Sequence, residues 1–219
     1  MKNTEIFFSG FNFKTENDRR NAEALLVSCM IRHRIGGKIP LFIIEGEGCS
    51  GKSTLIRGAA ALSGMDEILY ISGSAKSLKD TFCRTTKPQK GIFLLDTAIN
   101  NKNTEKILAL ITDGRILTGK TETRQIDLSN VVFVATARDL KHVSECLLSR
   151  GLIIQLDKLS LYKPLSTILT EVSEQKVIAK YYQKIGKWYA SSQPAAAEYI
   201  LPRFPEWSKT IFGILETRI

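Results

Sequence analysis

One short stretch limits this chain more than any other: Gly46-Glu47-Gly48-Cys49-Ser50-Gly51-Lys52-Ser53 fills every fixed position of the pattern G-x-x-x-x-G-K-[ST]. An apolar run, Ile39 to Ile44, precedes it, and a helix-like run, Thr54 to Leu62, follows. Strand, glycine-rich loop and helix in that order give the pattern a mechanism. The glycines let the backbone wrap a phosphate chain, while amide N–H groups and the helix N-terminus supply positive potential. Lys52 is placed to reach the β- and γ-phosphates, and the Ser53 hydroxyl to sit on Mg²⁺. The predicted ATP site runs from Gly46 through Glu47, Gly48, Cys49, Ser50, Gly51, Lys52 and Ser53 to Thr54.

A second apolar run, Ile92-Phe93-Leu94-Leu95, closes on Asp96. A buried strand that delivers a carboxylate at its C-terminal end is what a Mg²⁺-ATP site needs opposite the loop, because the metal requires a fixed anionic ligand. A strand-capping aspartate is the plainer alternative. The next residue is Thr97, so no adjacent glutamate activates water; Glu45, Glu47 and Glu105 all stand as base candidates and nothing local selects one.

The remaining elements alternate between helix and strand. Phe7, Phe8, Phe11 and Phe13 are expected to cover a core edge rather than dock on a neighbour. Asn17 or Asp18 is the expected cap of a helix whose inner face carries Ala22, Leu25, Leu26, Cys29, Met30 and a half-buried His33, and which ends at Gly36-Gly37. Pro40 belongs at the start of the strand before the loop. Glu67 to Ile71 reads as a strand, residues 75–84 as a basic helix, and Glu105 to Ile111 as a short helix. Two extended pieces around Thr118-Gly119-Lys120 form a hairpin bearing Arg115, Lys120 and Arg124. Val131 to Thr136 is a fully apolar strand with a polar tip, Ser144 and Glu145 open a short helix carrying Arg150, and Leu152 to Leu156 is a further strand. Helical periodicity then runs from Ser166 to Tyr189, and Pro202, Pro205 and Trp207 precede a last helix, Ser208 to Leu215. The expected division is a core over residues 1–158 and a helical, lid-like region over 159–219.

A formal charge of +9 and a pI near 9.4 call for an anionic partner, with nucleic acid the usual one. The 4 cysteines are scattered with no C-x-x-C, and His33 and His142 are the only histidines, so a structural zinc site is not expected. With no leader pattern and no apolar run near the roughly 20 residues that span a bilayer, a reduced cytoplasmic location without membrane contact is expected. Cys49 reads as a tolerated loop residue rather than a redox switch.

This order of elements resembles the AAA+ ATPases, and more narrowly the replicative helicase-type ATPases of phages and mobile elements, related to superfamily 3 helicases. The resemblance spans about Phe11 to Leu215, carried by Pro40-Leu41-Phe42-Ile43-Ile44, Arg115-Ile116-Leu117-Thr118-Gly119, Ala135-Thr136-Ala137-Arg138-Asp139-Leu140 and Phe204-Pro205-Glu206-Trp207-Ser208. It implies an α/β fold with a parallel central sheet flanked by helices and a small C-terminal helical region. It also implies ATP on the loop, Mg²⁺ on Ser53 and Asp96, the first sensor at Thr136 to Arg138, and Arg150 as an arginine finger reaching a neighbour's γ-phosphate. Arg150 alternatively satisfies a helix C-terminus. The hairpin resembles the pore hairpin that grips single-stranded DNA, and a solvated surface turn is its alternative. A hexameric ring, and replication partners supplying in trans the domains that longer relatives attach, complete the implied picture. Relatives usually carry asparagine at the first sensor and Asn or Glu after the metal acid; Arg138 and Thr97 depart from both. The leading expectation is a ring ATPase moving on DNA. The others are an ATP-dependent adaptor, loader or inhibitor with little hydrolysis, and, less favoured, a small-molecule kinase.

Overall fold

A computed structural model describes residues 6–65, 67–71, 91–96, 104–113, 115–117, 123–125, 127, 129–159, 163–174, 176–194 and 201–218. Five strands form a parallel sheet: β1 (Leu41–Glu45), β2 (Glu67–Ile71), β3 (Gly91–Asp96), β6 (Val131–Ala137) and β7 (Gly151–Gln155), in the order β2-β3-β6-β1-β7. The strand that feeds the glycine loop is therefore flanked by β6 and β7, and β3 stands one strand further out. A separate antiparallel pair, β4 (Arg115–Leu117) and β5 (Thr123–Gln125), forms the expected hairpin, with Ile116 opposite Arg124. Its tip, and the helix expected over residues 75–84, lie outside the described residues.

Both faces of β1, β3 and β6 are buried, which is why these strands read as unbroken apolar runs. Alternate side chains separate cleanly into two cores. Phe42, Ile44, Leu94, Val132 and Val134 face α2 (Glu16–Ile31), α3 (Lys52–Ser63) and the C-terminal helices. Leu41, Ile43, Phe93, Phe133 and Ala135 face α4 (Thr104–Asp113) and α5 (Glu145–Leu148). The product is an α/β architecture: helices on both sides of a parallel sheet, with the glycine loop at a strand's C-terminal end.

The N-terminal aromatics cover the core as expected. Phe7 and Phe8, in the short helix α1 (Ile6–Ser9), and Phe11 are buried, with the Phe7 and Phe11 rings edge to face at 5.5 Å. Gly58 of α3 makes room for Phe7: a Cβ there would fall 2.6 Å from the ring's Cζ and closer still to Cε2.

Several local expectations are corrected. The cap of α2 is Thr15, whose Oγ1 accepts from the Asp18 amide while Asp18 accepts from the Thr15 amide, a capping box with an aspartate in the third position. This helix is buried on nearly every side from Asn21 to Ile31, because it lies between the sheet and the C-terminal helices. It ends at Ile31 in a 3₁₀ turn, Arg32–Arg34, before Gly36 is reached. His33 is in that turn and exposed, since the tighter winding carries it off the inner face. The Ser166 to Tyr189 run is two helices, α6 (Leu165–Glu174) and α7 (Val177–Ala190), broken where Lys176 takes a left-handed conformation at φ 52°. Pro205 opens α8 (Pro205–Glu216) from inside its first turn, where a missing N–H costs nothing.

The C-terminal helices are part of the same apolar cluster as α2. Trp207 packs edge to face on Phe42 at 6.0 Å and donates its indole N–H to Ser28 Oγ at 2.9 Å, in a fully buried contact. Among the described residues no helix is long and apolar enough to cross a membrane.

Candidate nucleotide site

The loop leaves β1 at Glu45 and is pinned on both flanks by backbone. The Gly46 amide donates to Ala137 O at the end of β6 (3.1 Å), and Leu159 N donates to Cys49 O (3.4 Å) beyond β7. Gly46 has no room for a side chain: a Cβ would fall 2.7 Å from Leu156 O. Gly51 enters α3 with φ 89°, resting against Phe11 and Leu159. Cys49 is exposed and also left-handed, at φ 63°. No side chain caps α3, so its first amides remain available to an anion, and the exposed Ser53 stands in that first turn with Thr54 beside it.

Lys52 is folded back over the loop. Its ammonium donates to Gly46 O, to Glu47 O at 2.8 Å and to Ser50 Oγ at 3.4 Å, while Ser50 itself is buried. These neutral acceptors hold the cation where a phosphate chain, as an anionic acceptor, would compete for it. Gly46, Ser50, Gly51, Lys52 and Ser53 thus stand together in one loop and the helix turn that follows it.

Asp96 ends β3 in register with Thr136 of β6, and Thr136 in turn is opposite Ile44 of β1. One row across the C-terminal edge of the sheet therefore carries the predicted metal carboxylate, a buried threonine and the strand that launches the loop. The Asp96 side chain lies outside the described residues.

Arg138 follows β6 directly and pairs with Glu47, Nε to Oε2 at 2.8 Å. The pair is open to solvent, with Arg138 81% and Glu47 60% exposed, so its strength is modest and salt-dependent. A cleft of about 510 Å³ opens beside it, lined by Glu47, Thr136, Arg138, Asp139 and His142. Glu45, nearly buried, accepts a hydrogen bond from Gln155 Nε2 and faces Lys14 at 3.6 Å. Both described glutamates beside the loop are therefore engaged. The Glu105 side chain lies outside the described residues, as do Lys120 and the side chains of Arg115 and Arg124.

Arg150 is at the opposite end of the sheet. It immediately precedes β7, its carbonyl accepts from Leu41 N at the start of β1, and its Nη1 donates to Cys146 O (3.0 Å) at the close of α5. A five-residue strand separates it from the loop, about 16 Å at 3.3 Å per residue. The guanidinium thus caps a helix C-terminus and stands away from the glycine loop.

The partners of Glu45 and Glu47 are absent from the sequence reading. Gln155 becomes Glu45's neighbour only once β7 is known to pair with β1, and no local pattern encodes that. The proximity of Arg138 to the loop was legible only in outline, from its place after an apolar strand.

No family model matches the chain, and no curated protein matches it. Among solved structures it is similar to an SCCmec type IV Cch active helicase, with a TM-score of 0.49 and 14% sequence identity. That match covers 98% of this chain and 47% of the other, so the chain spans about half the length of that helicase.

Proposed function

We propose that this chain is an ATP-binding AAA+ ATPase acting on DNA, working as a ring helicase or translocase in phage or mobile-element replication. The observation that carries the reading is the phosphate loop itself. An uncapped helix N-terminus, close-approach glycines and a lysine folded onto replaceable acceptors lie at the strand end next to Thr136 and Asp96.

These residues fit ATP and Mg²⁺. Gly46 to Thr54 would hold the triphosphate, and Ser53 and Asp96 the metal, a donor set in keeping with an ion that keeps most of its waters and takes the rest of its ligands from phosphate. When bound, Mg²⁺ neutralises charge on the β- and γ-oxygens. Lys52 would turn from loop carbonyls to phosphate oxygens, and Thr136 and Arg138 would face the terminal phosphate from β6. The strand-length separation of Arg150 from its own loop supports a role in trans, on a neighbour's nucleotide, and with it a homo-oligomer, hexameric by resemblance. Arg115, Lys120 and Arg124 would contact single-stranded DNA through its phosphates.

A second reading, an ATP-dependent adaptor, loader or inhibitor of a replication protein with little hydrolysis, is favoured by one observation. Glu45, nearly buried, is held by Gln155 and Lys14, which leaves it poorly placed to activate water.

The test begins with Cys49. Mg²⁺-ATP should slow its alkylation in the wild type and have no effect in Lys52→Ala, with the exposed Cys146 as reference. Equal alkylation of wild-type Cys49 with and without ATP would refute nucleotide binding. ATPase rate with and without single-stranded DNA, alongside solution mass with a non-hydrolysable analogue, then separates motor from adaptor.

A further inference from the structure

A second cleft, of about 410 Å³, lies between the turn before β1 and the C-terminal helices, at the end of the sheet away from the phosphate loop. Its walls carry the cations Arg34, Lys38 and Arg203, with Glu206 as the carboxylate among its lining residues and Tyr189 as an aromatic surface. The turn that bears two of these cations is firmly built. Arg32, buried, donates to Val131 O at 2.9 Å, to Ile35 O at 2.8 Å and to Gly37 O at 3.4 Å. It thereby ties the turn to the start of β6.

The facing wall is equally fixed. Trp188 is buried, donates its indole N–H to Pro194 O (3.0 Å) and meets Tyr189 edge to face at 5.0 Å. The Arg34 guanidinium lies 5.7 Å from the Tyr189 ring centre. Gly36 and Gly37 face open space, with nothing within 4 Å of where a Cβ would be, so a ligand can approach bare backbone there. Lys38 reaches Asp113 only at 3.7 Å in an exposed pair, a weak competitor for its charge.

We infer that this cleft is a second nucleic-acid contact, gripping phosphates of a single strand on Arg34, Lys38 and Arg203 beside the Tyr189 ring. Clustered cations next to an aromatic ring in a concave surface suit a phosphodiester chain with its bases, whereas an apolar ligand would leave the cations unsatisfied. The inference rests on the reading that the chain acts on nucleic acid, and it gives the strand a footing independent of the β4–β5 hairpin.

The experiment is binding of a fluorescent oligothymidylate by the full chain across about 50 to 200 mM salt. Each phosphate neutralised on a single strand contributes about 0.7 to the slope of log affinity against log salt. Arg34→Gln/Lys38→Gln/Arg203→Gln should therefore lower that slope by about 2. Lys38→Gln/Arg203→Gln keeps the Arg34–Tyr189 contact, and with it that wall of the cleft, and should lower the slope by about 1.4. ATP binding should be unchanged in both variants, reporting an intact core. Unchanged slopes in both, with the wild type still binding, overturn the cleft and leave action on nucleic acid standing. A wild type that binds no oligonucleotide overturns both.

Discussion

Gly58→Ala tests how the aromatic layer under the phosphate loop is held. The new methyl would fall 2.6 Å from Phe7 Cζ and closer to Cε2, against a carbon–carbon optimum of about 3.5–4.0 Å. The Phe7 ring must therefore move by about 1 Å or more. It has no free space, being 0% exposed and edge to face with Phe8 at 4.9 Å and Phe11 at 5.5 Å. Overpacking of this kind costs about 1–3 kcal/mol, offset by about 0.8–1 kcal/mol from the better helix propensity of alanine. The net expectation is a loss of about 1 kcal/mol. Phe7→Leu removes the ring atoms that the methyl would strike, so in that background Gly58→Ala should instead stabilise by up to about 1 kcal/mol. Urea denaturation of the wild type, both single variants and the double variant measures this coupling, with a constant m-value as the check on two-state behaviour. Phe11 rests against Gly51, so ATP affinity should fall in Gly58→Ala and recover in the double variant. An equal effect of Gly58→Ala in both backgrounds would refute the packing argument.

The remaining predictions concern charge. Arg150→Ala should leave ATP binding intact and remove DNA-stimulated turnover, by about 10³-fold or more if it acts as a finger; equal turnover would refute that role. Glu47→Gln removes a carboxylate from the mouth of the loop and should tighten ATP binding about twofold to fivefold, while Arg138→Gln should weaken it by a similar factor, both effects shrinking in high salt, as read by equilibrium titration. Burial raises the Glu23 carboxyl above its ordinary value despite Arg19 and Lys184 nearby, so the folded chain holds that proton after the unfolded chain has released it. Its contribution to stability is thus lost as pH rises through the range above 4.5, and Glu23→Gln should flatten that part of a stability-against-pH curve.

The parts of this fold that were legible are those whose cause is local. Val131 to Ala135 and Ile92 to Leu95 read as strands because both their faces are buried, and the glycine loop reads as a candidate site because its pattern fixes backbone and lysine together. The hidden parts depend on which distant segments meet. Nothing near Arg32 announces that it will tie Gly37 to the start of β6, and nothing near Glu47 announces Arg138. The break between α6 and α7 escaped because the apolar stripe through Val172, Val177 and Tyr181 continues on both sides of it, so periodicity sees one helix where Lys176 turns the backbone. The capping box of α2 was missed because it closes with aspartate where glutamate or glutamine is the usual signal.

The Trp207 contact sets an order of events in the making of the chain. Ser28 and Trp207 are 179 residues apart, so during synthesis at about 5–20 residues per second Ser28 waits roughly 9 to 36 seconds before its indole partner is made. Through that interval the inner side of β1, with Phe42 on it, has no Trp207 to cover it. A nascent chain can complete its glycine loop early, yet the strand behind that loop becomes fully enclosed only when α8 arrives. Resistance of β1 to proteolysis should therefore appear late, with the arrival of α8.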